Sequence, residues 1–128
     1  MRRALSAVVA LGLFVFLAWI VFGGTALIRV SLHMKERNEE RARTSLEEIA
    51  RGEAALHART TAYGTIAVLG SGELIDTVLA TGTKQGYFFV VTPTPAGFSA
   101  VARPSDPGKT GTRVFSVDQG GVVRDGER

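Results

Sequence analysis

His33 and His57 are the only imidazoles in the 128 residues, and there is no cysteine. Glu53 and His57 stand four positions apart, which puts two side chains on one face of a helix, so a two-ligand metal site can be drawn. A structural zinc wants about four ligands, and His33 does not fall on an adjacent turn. His57 is therefore read as a surface or partly packed residue. The lack of cysteine excludes a disulfide framework and a thiolate zinc site. Serine, histidine and aspartate are all present, but no Gly-x-Ser-x-Gly elbow joins them. Gly70-Ser71-Gly72 reads as a helix cap or flexible loop. Gly108-Lys109-Thr110-Gly111 contains Gly-Lys-Thr, but the earlier glycine of a phosphate loop is missing and no helical pattern follows. Asp118 with Gly120-Gly121 lacks the acidic partners of a calcium loop and reads as a turn. No catalytic, cofactor-binding or metal-ligating residue is assigned. No cofactor is expected, and the chain is not read as an enzyme.

The aromatic residues offer a different chemistry. Tyr87, Phe88, Phe89, Phe98 and Phe115 could form a stacking platform on a sheet. Strand alternation puts Tyr87 and Phe89 on one face and Phe88 on the other, so core packing accounts for about half of them. One exposed aromatic on the wet face is ordinary. Two or three clustered there would mark a protein-binding patch.

The elements that must position these residues are a long helix, a short helix and a sheet. No proline lies between Ala4 and Pro93, so the first part of that stretch can be one continuous helix. Gly23-Gly24 is its expected point of bending. Ser31 to Arg43 is polar on nearly every side and predicts a solvated spacer, supported by Glu39–Arg43 and Glu47–Arg51 pairs at i,i+4. From Ala42 an apolar stripe of Leu46, Ile49, Ala50 and Leu56, with Ala54 beside it, predicts a face laid on a core. Ser71 is expected to cap a short helix over 73–80, ended by Gly82. Strands are predicted over 87–92, 98–102, 113–117 and 122–124. Pro93 to Gly97 is a turn, 104–111 a loop, and Asp118-Gln119-Gly120-Gly121 a hairpin signal.

The front end fixes a location. Ala4 to Ile28 is a run of 25 residues without a charge, bracketed by Arg2-Arg3 and Arg29. About 20 apolar residues cross a bilayer as a helix, so residues 1–30 read as a transmembrane anchor held by membrane lipid. A cleaved signal peptide, with Gly24-Thr25-Ala26 as its small-x-small site, is the rival, but its apolar region is usually shorter. The net charge of +3 owes two units to Arg2-Arg3, and from Arg29 onward 13 Lys/Arg face 12 Asp/Glu. That near-balance, with no basic run, argues against nucleic acid as a partner. Lys/Arg counting alone would put the carboxyl side in the cytoplasm, and charge does not choose the orientation.

Four stretches resemble type IV pilins of the kind with a long first helix and a small carboxyl-terminal sheet. They are Ala42-Arg43-Thr44-Ser45-Leu46 through Ala62-Tyr63-Gly64; Leu74-Ile75-Asp76 with Leu79-Ala80 and Gly82-Thr83-Lys84-Gln85-Gly86-Tyr87; Phe98 to Pro104; and Pro107-Gly108-Lys109-Thr110-Gly111-Thr112-Arg113-Val114-Phe115 with Val117-Asp118 and Gly121-Val122-Val123-Arg124. The front end departs from the family. The apolar run starts at Ala4, no Gly-Phe-Thr-Leu-Ile-Glu precedes it, and Arg29 follows Gly24-Thr25-Ala26-Leu27-Ile28 where a glutamate would stand.

The resemblance implies an α+β fold. A long amino-terminal helix, transmembrane in its first half, packs on an antiparallel sheet of about four strands. The divisions are 1–30 anchor, 31–64 extension of the helix and 65–128 globular region. It further implies a single-pass protein of a bacterial inner membrane with its carboxyl-terminal domain outside the cytoplasm. Its partners would be pilin-like proteins or proteins that assemble a pilus or a type II secretion-type system, with a minor or accessory role. A membrane-tethered extracytoplasmic ligand-binding or sensing module is the alternative. A concave apolar pocket would favour that alternative, and a flat sheet against a long helix the pilin-like reading.

Overall fold

The structure, a computed structural model, describes residues 31–126, together with the helical backbone that leads into them. The first helix, α1 (Arg2–Thr60), is described in its side chains from Ser31 onward. A short α2 (Ile66–Ser71) and a 3-10 turn (Leu79–Thr81) follow. The sheet comprises β1 (Thr83–Lys84), β2 (Tyr87–Pro93), β3 (Phe98–Pro104), β4 (Phe115–Asp118) and β5 (Arg124–Asp125). Its order is β1-β2-β3-β4-β5, every neighbour antiparallel. The chain divides into two compact units, Met1–His33 and Met34–Arg128, and the sheet and what packs on it belong to the second. Among the described residues no helix is long and apolar enough to cross a membrane. The uncharged run 4–28, and the bend expected at Gly23-Gly24, lie outside the residues whose side chains are described.

The fold is thus α+β with a long helix, as the patterning predicts, and with five strands rather than about four. The extra strand is β1, two residues that pair Thr83 with Phe88 and Lys84 with Tyr87. Two residues are too short to show period-2 alternation, so no pattern announced it. Periodicity does hold along β2, where Tyr87, Phe89 and Val91 are buried and Phe88, Val90 and Thr92 exposed. In β3, Phe98, Ala100, Ala102 and Pro104 point inward. Phe98, Ala100 and Ala102 form one core with Ala42, Leu46 and Ile49 of α1, Leu69 of α2, and Phe115 and Val117 of β4. Small Ala100 and Ala102 in the central strand leave space for the branched side chains of the helix, and both are fully buried. Leu56 is only partly buried and Ala54 is exposed, so the stripe's grip loosens toward the helix end.

Three expectations about the helices are corrected. The short helix lies before Gly72 rather than over 73–80. Thr65 caps it by accepting from the Val68 N–H, and Ser71, instead of capping, closes it by donating to the Ala67 carbonyl at 2.9 Å. Over 73–80, Asp76 captures the Val78 and Leu79 amides at 2.7 and 3.2 Å, which favours a turn over a helix. Gly82 does end the 3-10 turn in the left-handed region, φ 87°. The long helix stops at Thr60 rather than 64, because Thr61 turns to φ 60°.

The third correction concerns the polar stretch before Arg43. Residues 31–37 are mostly exposed, as a solvated spacer would be, but from Asn38 onward the stretch is tied to the loops of the sheet. Glu39 Oε1 accepts from the Thr112 N–H at 3.1 Å, the Thr112 hydroxyl at 3.1 Å and the Arg113 N–H at 3.3 Å. Asn38 donates to the Thr110 carbonyl at 2.9 Å. Further along, Glu48 accepts from the Asp76 N–H at 3.2 Å, and Glu53 from the Gly64 N–H at 2.9 Å. Side chains on both flanks of the helix's buried face thus hold the loops by their backbone groups. The expected i,i+4 pairs do not form: Arg43 bonds Asp125 at 3.1 Å, and Asp125 also pairs with Arg113.

Candidate protein-binding face

A sheet with a helix on one side has a second side. Here it carries the even-numbered side chains of β2 and the odd-numbered ones of β3. Phe88 and Val90 are 48% and 57% exposed, and Val101 across the ladder is half-buried. With Gly82, Phe89, Thr92, Ser99 and the charged Arg103, which stands across the ladder from Phe88, they border a concavity of about 600 Å³. Of the five aromatics, Tyr87, Phe89, Phe98 and Phe115 are core, and Phe88 alone reaches the open face. A stack of bases therefore has one ring to lie on. The apolar character of the face comes instead from Val90 and Val101 beside that ring. A short-chain aliphatic and aromatic surface of this kind is suited to apolar side chains of another molecule.

The residues singled out for chemistry are placed elsewhere and bound into the structure. His57 is exposed and stacks on Tyr63 with ring centroids 4.4 Å apart, while Tyr63 leans on Phe98 at 5.5 Å. Glu53 turns from His57 to the Gly64 amide. It is fully buried, its Oε1 has no hydrogen-bond partner, and burial raises its carboxyl above the ordinary value, the Gly64 bond opposing this. Asp118 accepts from the Gly120 N–H at 2.9 Å and makes a local turn. Asp76 pairs with Lys84, and that bond holds its carboxyl below the ordinary range. Among the described residues no group of three or more His, Asp or Glu side chains is placed to hold a metal.

The Gly108-Lys109-Thr110-Gly111 segment has a structural explanation. Gly108 takes φ 86°, where a side chain would be strained. Gly111 lies against Tyr87: a Cβ there would sit 2.8 Å from the ring's Cε2 and Cζ and closer still to its hydroxyl. That hydroxyl donates to the Arg113 carbonyl at 2.8 Å, and burial, with the charge of Glu39 nearby, pushes its pKa up to about 12. The loop is therefore clamped between the phenol of Tyr87 and the helix residues Asn38 and Glu39. No residue pattern marks Glu39 as the clamp, since the donors it accepts from, on Thr112 and Arg113, lie more than seventy positions away.

No family model, no curated protein and no solved structure matches the chain.

Proposed function

We propose that this chain is a membrane-anchored, pilin-like structural or interaction protein that meets its partner through the open face of its sheet, with no catalytic step of its own. The observation that carries the reading is the one-sided packing: α1 covers one face of the sheet and leaves Phe88, Val90 and Val101 uncovered on the other. Phe88 and Val90 are about half exposed, so covering them would return part of the ~1.5–3 kcal/mol of a full burial, which favours a partner on this face. The uncharged run 4–28 and the motif order from Ala42 to Arg124 support the anchor and the family resemblance. Anchored in a bacterial inner membrane with residues 31–128 outside the cytoplasm, the domain would face other pilin-like proteins or the assembly proteins of a pilus or secretion system. The apolar run 4–28 carries no glutamate, and that points to a minor or accessory place rather than a filament subunit.

The test joins two measurements on protein taken from membranes. Intact mass spectrometry is expected to find Arg2-Arg3 attached, and the purified chain alone is expected to stay detergent-extractable without forming fibres. A species beginning near Thr25, or ordered fibres of this chain alone, would overturn the reading.

A second reading, a tethered module that binds a small apolar ligand, is favoured by one feature, the concavity of about 600 Å³ on the same face. Partner binding lost on substituting Phe88 and Val90, with no small molecule co-purifying, separates the first reading from the second.

A further inference from the structure

We propose that the outer edge of β2 from Val90 to Pro93 receives an extended peptide segment of a partner protein, paired by its main chain to Val91 and setting alternate apolar side chains over Phe88, Val90 and Val101. The inference rests on the reading of the open face as an interaction surface and names what occupies it.

The ladder identifies which backbone groups are available. Phe89 donates its N–H to the Gly82 carbonyl at 2.8 Å, so the odd-numbered residues of β2 direct their amides and carbonyls away from β3. The even-numbered ones serve β3, as the Ser105 N–H bond to the Gly86 carbonyl at 2.8 Å confirms in phase. β1 pairs only Thr83 and Lys84, and upstream of Gly82 the chain leaves the sheet in the 3-10 turn. The Val91 N–H and carbonyl and the Pro93 carbonyl therefore face outward with no strand beside them among the described residues. No charged residue lies in β2 itself, the nearest on the open face being Arg103 of β3 across from Phe88, and Phe88-Phe89-Val90-Val91-Thr92 is a mostly apolar, strand-forming run, the kind of edge that pairs with another chain.

The same geometry argues against a second copy as the occupant. A two-fold pairing through Val91 would put the other copy's Pro93 opposite Phe89, where Gly82 already sits. Pro93 also has no N–H to donate. A foreign segment has neither restriction. It continues the line of β1 past Gly82, opposite Val90 to Pro93, and its side chains opposite Val90 and Thr92 fall on the open face. β-branched or aromatic residues suit those two positions.

The experiment uses the full chain in detergent, with nitrogen-15 labelling and a capped hexapeptide of alternating Val and Thr as probe. In the free protein the Val91 amide is expected to exchange with solvent at least about tenfold faster than the Val90 amide. Saturating peptide is expected to slow Val91 by about tenfold or more. Two further peptides carry N-methyl groups on alternate residues, one in each phase. One phase is expected to lose at least tenfold in affinity and the other to bind within about threefold of the parent, because only one set of N–H groups faces β2. Phe88→Ser weakens the parent peptide without changing the free-state exchange pattern. A Val91 amide already protected in the free chain would overturn the inference, as would absence of binding or equal loss in both phases. If both N-methylated peptides bind like the parent while Phe88→Ser abolishes binding, the open face is an interaction surface and the edge pairing is wrong.

Discussion

Glu39→Ala removes one acceptor and strands three donors. The Thr112 N–H, the Thr112 hydroxyl and the Arg113 N–H all converge on Oε1 at 3.1–3.3 Å. Bonds to a charged acceptor contribute about 1.5–3 kcal/mol when shielded, but Glu39 is half-exposed and released donors are partly rehydrated. We expect a net loss of about 1–2 kcal/mol for the set. For a domain of this size that lowers the melting temperature by roughly 4–15 °C. Glu47 is a carboxylate on the same helix, exposed, with no ion pair to Arg51, and Glu47→Ala should move the melting temperature by no more than about 2 °C. Glu39→Gln keeps the acceptor oxygen without the charge and should fall between the two. Circular dichroism melts of the full chain in detergent read all three. If Glu39→Ala and Glu47→Ala melt together, the clamp is not a determinant of stability and the polar stretch of α1 is a spacer after all.

The remaining predictions address the core, the loop and pH. Leu46→Ala, at a fully buried position, should cost about 2–5 kcal/mol in denaturant unfolding, and Leu56→Ala distinctly less because Leu56 is half-exposed. Gly111→Ala forces a methyl into the Tyr87 ring and should destabilise by about 1–3 kcal/mol, with Tyr87→Phe in the same chain relieving part of that loss by removing the closest atom. For Glu53 the folded chain binds the carboxyl proton more tightly than the unfolded chain does, so its contribution declines as pH rises from the ordinary value of 4.5 through the raised folded value. Glu53→Gln should remove that decline: the stability of the parent relative to the variant, followed by unfolding between about pH 4 and 8, should be greatest at the acid end. A difference that grows toward neutral pH would refute the assignment.

The legible parts of the fold were those with a repeating signal. Alternation in Tyr87 to Thr92 and Phe98 to Ala102 gave the two central strands and their buried faces, and the spacing of Ala42, Leu46 and Ile49 gave the helix face. What escaped has no period. The Asp76 side chain competes for backbone amides and turns a helix-like stripe at 74, 75, 78 and 79 into a turn. β1 is two residues long, and its brevity is what leaves Val91 at an edge. Gly82 was legible as a terminator but not as the residue that blocks the position opposite Phe89. The open face itself was foreshadowed by Phe88 alone, since its other members, Val90 and Val101, are ordinary strand residues whose exposure depends on which face the helix takes.

On the reading proposed above, the uncovered face of the sheet, and not the exposed side of the helix, meets the partner. The most direct measurement of this is site-resolved photocrosslinking of the full chain in native membranes, with the photoreactive residue at Phe88 or Val90 and, as the reference, at Arg51, which is exposed on α1. One discrete adduct is expected from Phe88 and Val90, absent from Arg51, whose other half is a pilin-like or assembly protein. Adducts of equal yield from Arg51, or none from Phe88 and Val90, would contradict it.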